Sequence, residues 1–135
     1  MEKGQMRGQS LLEFVLIVPI MIFMITVFID LGRGIFYYSS LNNAVREASR
    51  FAIVHKIVDD DPNTIAVLRH AASGLNPNNI IVDIVAPTPA NEQVTITANY
   101  FFDPVTPGLE FLVGASGGIT LTVHSKMETA PLYQN

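Results

Sequence analysis

No cysteine occurs among the 135 residues. Disulfide staples, thiolate metal sites and cysteine nucleophiles are excluded together. The lack does not fix a compartment, because exported domains large enough to hold a core manage without disulfides. Basic residues are nearly missing from the distal part: residues 57–135 carry only Arg69 and Lys126 against eight acids, while residues 1–56 carry six bases against four acids. Nucleic acid is bound by lysines and arginines clustered on one face, so the acidic distal part has no nucleic-acid partner. The usual catalytic patterns are missing as well. His55, His70 and His124 fall on three separate predicted elements without ligand spacing between any two. Ser10, Ser39, Ser40, Ser49 and Ser116 lack a G-x-S-x-G context, and no glycine loop resembles a phosphate cradle. "DDDPN" (59–63) has neither the alternating ligands nor the distal glutamate of an EF-hand loop, and reads as a solvated loop and helix cap. No enzyme chemistry, metal site or cofactor site is legible.

Charge is also absent from Phe14 to Ile29. From Leu11 to Ile29 the chain is apolar except for Glu13, Pro19 and Thr26. As a helix this segment is roughly 28 Å long, against about 30 Å of bilayer hydrocarbon. A buried core helix would show polar positions every three or four residues. A secretory signal would be shorter and would end at small residues of the A-x-A kind; this run ends in "DLGRG". The segment therefore reads as a membrane span at about residues 11–29. Lys3 and Arg7 precede it and the acidic bulk follows, which puts residues 1–8 in the cytoplasm and the rest outside.

Helical periodicity continues beyond the span. "GIFYYSSLNNAVREASRFAIVHK" presents Phe36, Leu41, Ala44, Val45, Ala48, Phe51, Ala52 and His55 at three-to-four spacing, with Asn42, Arg46, Glu47 and Arg50 largely opposite. One helix is expected from about Gln9 to about Lys56, kinked at Pro19 and weakened at Gly32 and Gly34. Asp61-Pro62 reads as an N-cap and first helical position, and Gly74 as the stop of a short helix over 62–73. "NIIVDIV" (79–85), "VTITANYFF" (94–102) and "ITLTVHSKM" (119–127) read as strands, the last two with period-two alternation. The expected fold is α+β: the long helix laid by its residues 35–56 on an antiparallel sheet of about three strands, with one short extra helix. The 16 residues from Asp103 to Gly118 contain two prolines and four glycines. Their apolar Leu109, Phe111, Leu112 and Val113 either fold back on the core or form a partner-docking patch. "DLGRG" pairs Asp30 with Arg33 as a weak surface bridge, or sets both as polar anchors at the headgroup level.

Glu13 stands at the front of the span, where a charged carboxylate costs roughly 3 kcal/mol. Its partner becomes available if the chain is cut after Gly8. Gln9 then gains an α-amino group of pKa near ~8, able to meet Glu13 within one helix or the Glu13 of a neighbouring subunit. Gly8, four residues, then Glu13-Phe14 resembles the processing site of type IV pilins and pseudopilins. "RGQSLLEFVLIVP", "DLGR" and "LNNAVREASRFA" resemble the TadE-like minor pilins or pseudopilins of the tight-adherence (Tad/Flp) branch, and "YFFDPVTP" and "ITLTVHSKM" resemble the end of a TadE-like domain.

The resemblance implies a leader at 1–8, a long helix at 9–56 and an extracytoplasmic domain at 57–135. It implies Gly8 and Gln9 as the processing site, cut by a membrane-embedded prepilin peptidase, and Glu13 and Phe14 as assembly residues. The implied partners are membrane lipid, other pilin or pseudopilin subunits, that peptidase and the pilus assembly platform. The implied location is the bacterial inner membrane, then a cell-surface pilus used in adherence, with this chain priming or tipping its assembly. Gln9 stands where other pilins commonly carry phenylalanine, so methylation of the new N-terminus is not assured and cyclisation to pyroglutamate would remove its amine. The competing reading is a permanently anchored extracytoplasmic binding module using the 103–118 loop.

Overall fold

The computed structural model describes residues 3–55, 57–88, 91–109, 114 and 118–129, and side chains from Gly8 onward. Helix α1 spans Lys3–Val54, and its secondary structure is unbroken through Pro19, Gly32 and Gly34. Its first half touches no core: Leu11, Phe14, Ile20 and Phe28 are each about two-thirds exposed. Its second half supplies Leu41, Ala44, Val45, Ala48 and Ala52, all with no exposure. The alanines let the helix backbone come close to the sheet, and Leu41 and Val45 fill the space between them.

Helix α2 spans Pro62–Ala71. Its start is set by Asp61, whose Oδ2 accepts from the Thr64 amide at 2.8 Å and from the Thr64 hydroxyl at 2.8 Å. Leu68 and Ala72 are buried beneath it. The helix stops at Ala71 rather than at residue 73, and the chain turns at Gly74 with φ +78°. A side chain there would lie 2.7 Å from the Phe36 ring, so glycine serves both the turn and the close approach.

Strands β1 (Ile80–Val85), β2 (Gln93–Phe102) and β3 (Ile119–Glu128) form one antiparallel sheet in the order β1-β2-β3. Alternation in β2 buries Val94, Ile96, Ala98, Tyr100 and Phe102, and β3 adds Val123 and the partly buried Ile119 and Leu121. The fold is α+β, with the second half of α1 covering the apolar face of the sheet and α2 beside it.

Phe36 and His55 do not belong to the buried stripe: Phe36 is 53% exposed and His55 is exposed. At 100° per residue, Phe36 lies about 140° from Leu41 around the helix, whereas Tyr37 lies about 40° away. Tyr37 accordingly packs edge-on to Tyr100 at 5.5 Å and to Phe102 at 5.6 Å. His55 has the right angle but stands beyond the helix end, stacked on Phe51 at 3.9 Å. Ile57 closes that end of the core instead.

Nor is "DDDPN" a freely solvated loop. Asp60 pairs with Ile84 in both directions, its amide donating to the Ile84 carbonyl at 3.0 Å and its carboxylate accepting from the Ile84 amide at 3.1 Å. Asp59 accepts from the Ala86 amide at 2.7 Å. The two carboxylates hold the exposed edge of β1 to the turn after α1.

Candidate functional site

Two stretches of α1 carry polar groups that core packing does not require. The front turns contain Gly8, Gln9, Glu13 and Phe14, all exposed. Gln9 and Glu13 are four residues apart, on one face of the helix and about 6 Å along its axis. Glu13 has no hydrogen-bond or ion-pair partner among the described residues. An amine created at Gln9 would stand one turn below the carboxylate.

The second stretch is the exit of the apolar segment. Asp30 is 1% exposed. Its Oδ2 accepts from the Thr106 amide at 2.6 Å, and its Oδ1 accepts from the Val105 amide at 3.1 Å and from the Arg33 guanidinium at 3.0 Å. The buried Thr106 hydroxyl has no partner of good hydrogen-bond geometry among the described residues, yet it lies near enough to favour the charged carboxylate. Burial by itself would raise the Asp30 carboxyl. Hydrogen bonds from Thr106 and Val105 and the charge of Arg33 outweigh that, and the group titrates below its ordinary value. Arg33 also lies over the rings of Tyr37 and Phe102, at 5.8 and 5.3 Å from their centroids.

This is not the weak surface bridge the sequence suggested. The i,i+3 pair is real, but its aspartate is the anchor by which the loop after β2 is tied to the helix as it leaves the apolar segment. The signal was present in the spacing: Asp30 falls about 20° from Leu41 around the helix, one stripe position after another through Gly34 and Tyr37. A carboxylate on the buried stripe must find donors, and "DPVTP" supplies two backbone amides.

Of the proposed docking residues, Leu109 is half-buried; Phe111, Leu112 and Val113 lie outside the described residues. Among the described residues, no three His, Asp or Glu side chains come together as metal ligands.

The fold thus defines a class: an α+β domain built on the rear half of a helix whose front half is long and apolar enough for single-pass membrane anchoring. Over residues 8–50, from Gly8 to Arg50, the chain is similar to a family whose model is described as TadE-like protein. The family is a structural, pilus-related one, and the match associates the chain with the Tad system. No curated protein and no solved structure matches. The distal likeness in "YFFDPVTP" and "ITLTVHSKM" lies beyond the matched residues.

Removing the Asp30 carboxylate strands the buried Thr106 amide, the part-buried Val105 amide and the Arg33 cation. Asp30→Ala should cost roughly 2–4 kcal/mol, read as a lower urea midpoint for residues 28–135. Because the folded pKa is depressed, the unfolded chain takes up the proton first on acidification. The Asp30 contribution is therefore complete above the ordinary carboxylate pKa of ~3.9 and is lost as pH falls below it through the folded value. The gap between wild type and Asp30→Asn should be full at neutral pH and should shrink in acid; a gap that stays constant would show that Asp30 is not ionised in the fold.

Proposed function

We propose that this protein is a TadE-like minor pilin or pseudopilin that primes or tips assembly of a Tad/Flp-type adherence pilus. Residues 1–8 form a cytoplasmic leader, α1 crosses the inner membrane at about 11–29, and the domain of residues 57–135, completed by residues 35–56, lies outside. A prepilin peptidase cuts between Gly8 and Gln9. Glu13 then meets the new amine, its own or a neighbour's, when the assembly platform moves the subunit into a filament. The supporting observation is that the TadE-like match begins at Gly8 and runs along one continuous helix joining an exposed apolar half to a half locked in the domain. On this reading the work of the chain is assembly, with no catalytic residue.

The intact mass of the protein from its own host tests the reading. Loss of residues 1–8 is expected, with or without a further change of mass at Gln9. Retention of Met1 at full yield would favour an anchored binding module instead. Gly8 has open space around it in the structure, so its requirement would come from the peptidase, which needs a small residue where it unwinds the chain. Gly8→Trp should accumulate unprocessed precursor, visible as an eight-residue mass difference; normal processing of that variant would show that Gly8 is not the cleavage residue.

A further inference from the structure

The folded domain does not present a polar surface where the span ends. Leu31, Ile35, Tyr38, Phe102, Leu109 and Leu121 line a groove of about 300 Å³ whose walls are almost wholly apolar. The charged residue in its wall, Asp30, is already neutralised by Arg33 and the loop amides. In that wall Ile35 is 70% exposed, and Val105, 67% exposed, stands next to Asp30. Val105 is carried there by its own amide bond to Asp30.

Two features identify the occupant. The first is continuity with the lipid-facing surface. Leu31 and Ile35 stand two and six residues past Ile29, roughly 3–9 Å further along the helix axis, which is the headgroup layer of a bilayer whose hydrocarbon the span fills. Tyr38, 47% exposed, sits one turn above, where amphipathic aromatic rings favour the interface. The second is the placing of charge. Asp59 and Asp60 bind at Ile84–Ala86, and Glu128 pairs with Gln93, all toward the end of the sheet opposite Phe102. Only Asp103 among the exposed acids of the described residues lies at the near end. An acidic domain resting on a membrane would turn its charge outward in this way.

We propose that this underside is a lipid-contact surface. The domain sits down on the leaflet from which α1 emerges, Ile35, Tyr38 and Val105 enter the headgroup–acyl boundary, and a lipid acyl chain fills the groove. Asp30 sets the seating, because it fixes the loop that carries Val105. The proposal rests on residues 11–29 being a span, and the test separates the two.

The absence of cysteine makes single spin labels clean. Full-length Ile22→Cys, Ile35→Cys, Val105→Cys and Glu128→Cys chains are labelled and reconstituted in vesicles of phosphatidylethanolamine and phosphatidylglycerol. Collision with oxygen, concentrated in lipid, is compared with collision with a water-soluble nickel chelate. The oxygen-to-nickel ratio is expected to be highest at residue 22, severalfold above the Glu128 level at residues 35 and 105, and lowest at residue 128. Residues 35 and 105 are exposed, so neither label should disturb folding. A lipid-like ratio at 22 with a water-like ratio at 105 and 35 overturns the seating alone. A water-like ratio at 22 overturns the span and the seating together. Labels at 35 and 105 shielded from both reagents, with spin–spin broadening that fades on dilution with unlabelled chain, overturn it in favour of a second copy of the chain in the groove.

Discussion

Glu13→Ala should leave membrane insertion intact, or slightly improve it, and abolish recovery of the protein in sheared filaments. The substitution removes a carboxylate from the front of an apolar helix, where it costs roughly 3 kcal/mol to insert. Nothing in the folded domain depends on it: Glu13 is exposed, more than two helical turns from the first buried residue, and makes no polar contact among the described residues. Stability of the domain should therefore not change. On the proposed reading its value lies in pairing with an amine created at Gln9, and a pair formed between subunits would be available only in the assembled state. Loss of one member of such a buried pair leaves the other charge uncompensated, a penalty of about 3–5 kcal/mol, repeated at each contact. Membrane fractionation and shearing measure the two steps separately. Equal recovery of wild type and variant in filaments would refute the role of Glu13; loss of the variant from membranes would show that it acts in insertion instead.

The α+β fold was legible because two periodicities were clean. In β2, Val94, Ile96, Ala98, Tyr100 and Phe102 alternate with Thr95, Thr97, Asn99 and the exposed Phe101, and every one of the first set is buried. On α1, Leu41, Ala44, Val45, Ala48 and Ala52 repeat at helical spacing, and all are fully buried. Where the reading failed, an apolar residue was counted by type instead of angle, as with Phe36, or by angle without regard to the helix end, as with His55. Side-chain-to-backbone bonds across the fold were the least legible. Asp30 reaches Val105 and Thr106 over more than 70 residues, and Asp59 and Asp60 reach β1 over more than 20. No local pattern records such a pairing, because the donor is a backbone amide that any residue supplies. The front of α1 stands apart: a charge inside an apolar run is costly wherever it occurs, so Glu13 calls for a partner, and the described residues supply none.

Residues 58–135 alone should aggregate, whereas residues 35–135 should be soluble and melt cooperatively. The longer fragment holds nine acids against five bases, and it keeps the apolar buried stripe of α1 from Leu41 to Ala52. The shorter one loses Leu41, Ala44, Val45, Ala48 and Ala52, all of which have no exposure in the fold. Leu41 and Val45 alone represent roughly 3–6 kcal/mol of burial, and their removal uncovers Val94, Ile96, Ala98 and Val123 on the sheet. Domains of this size are stable by only ~5–15 kcal/mol, so the loss is of the order of the total. Helix α2 cannot replace the lid, since its own buried Leu68 and Ala72 belong to the same core. An uncovered three-stranded sheet with an apolar face would pair with its own kind. The structure adds a gradation: residues 28–135 should melt above residues 35–135, because the longer start keeps Asp30 and Arg33 and with them the hold on Val105 and Thr106. Circular dichroism melts of the three fragments decide both points. If the 58–135 fragment melts as sharply and as high as the 35–135 fragment, the second half of α1 does not complete the domain. If 28–135 and 35–135 melt together, the buried carboxylate holds only the loop and adds nothing to the core.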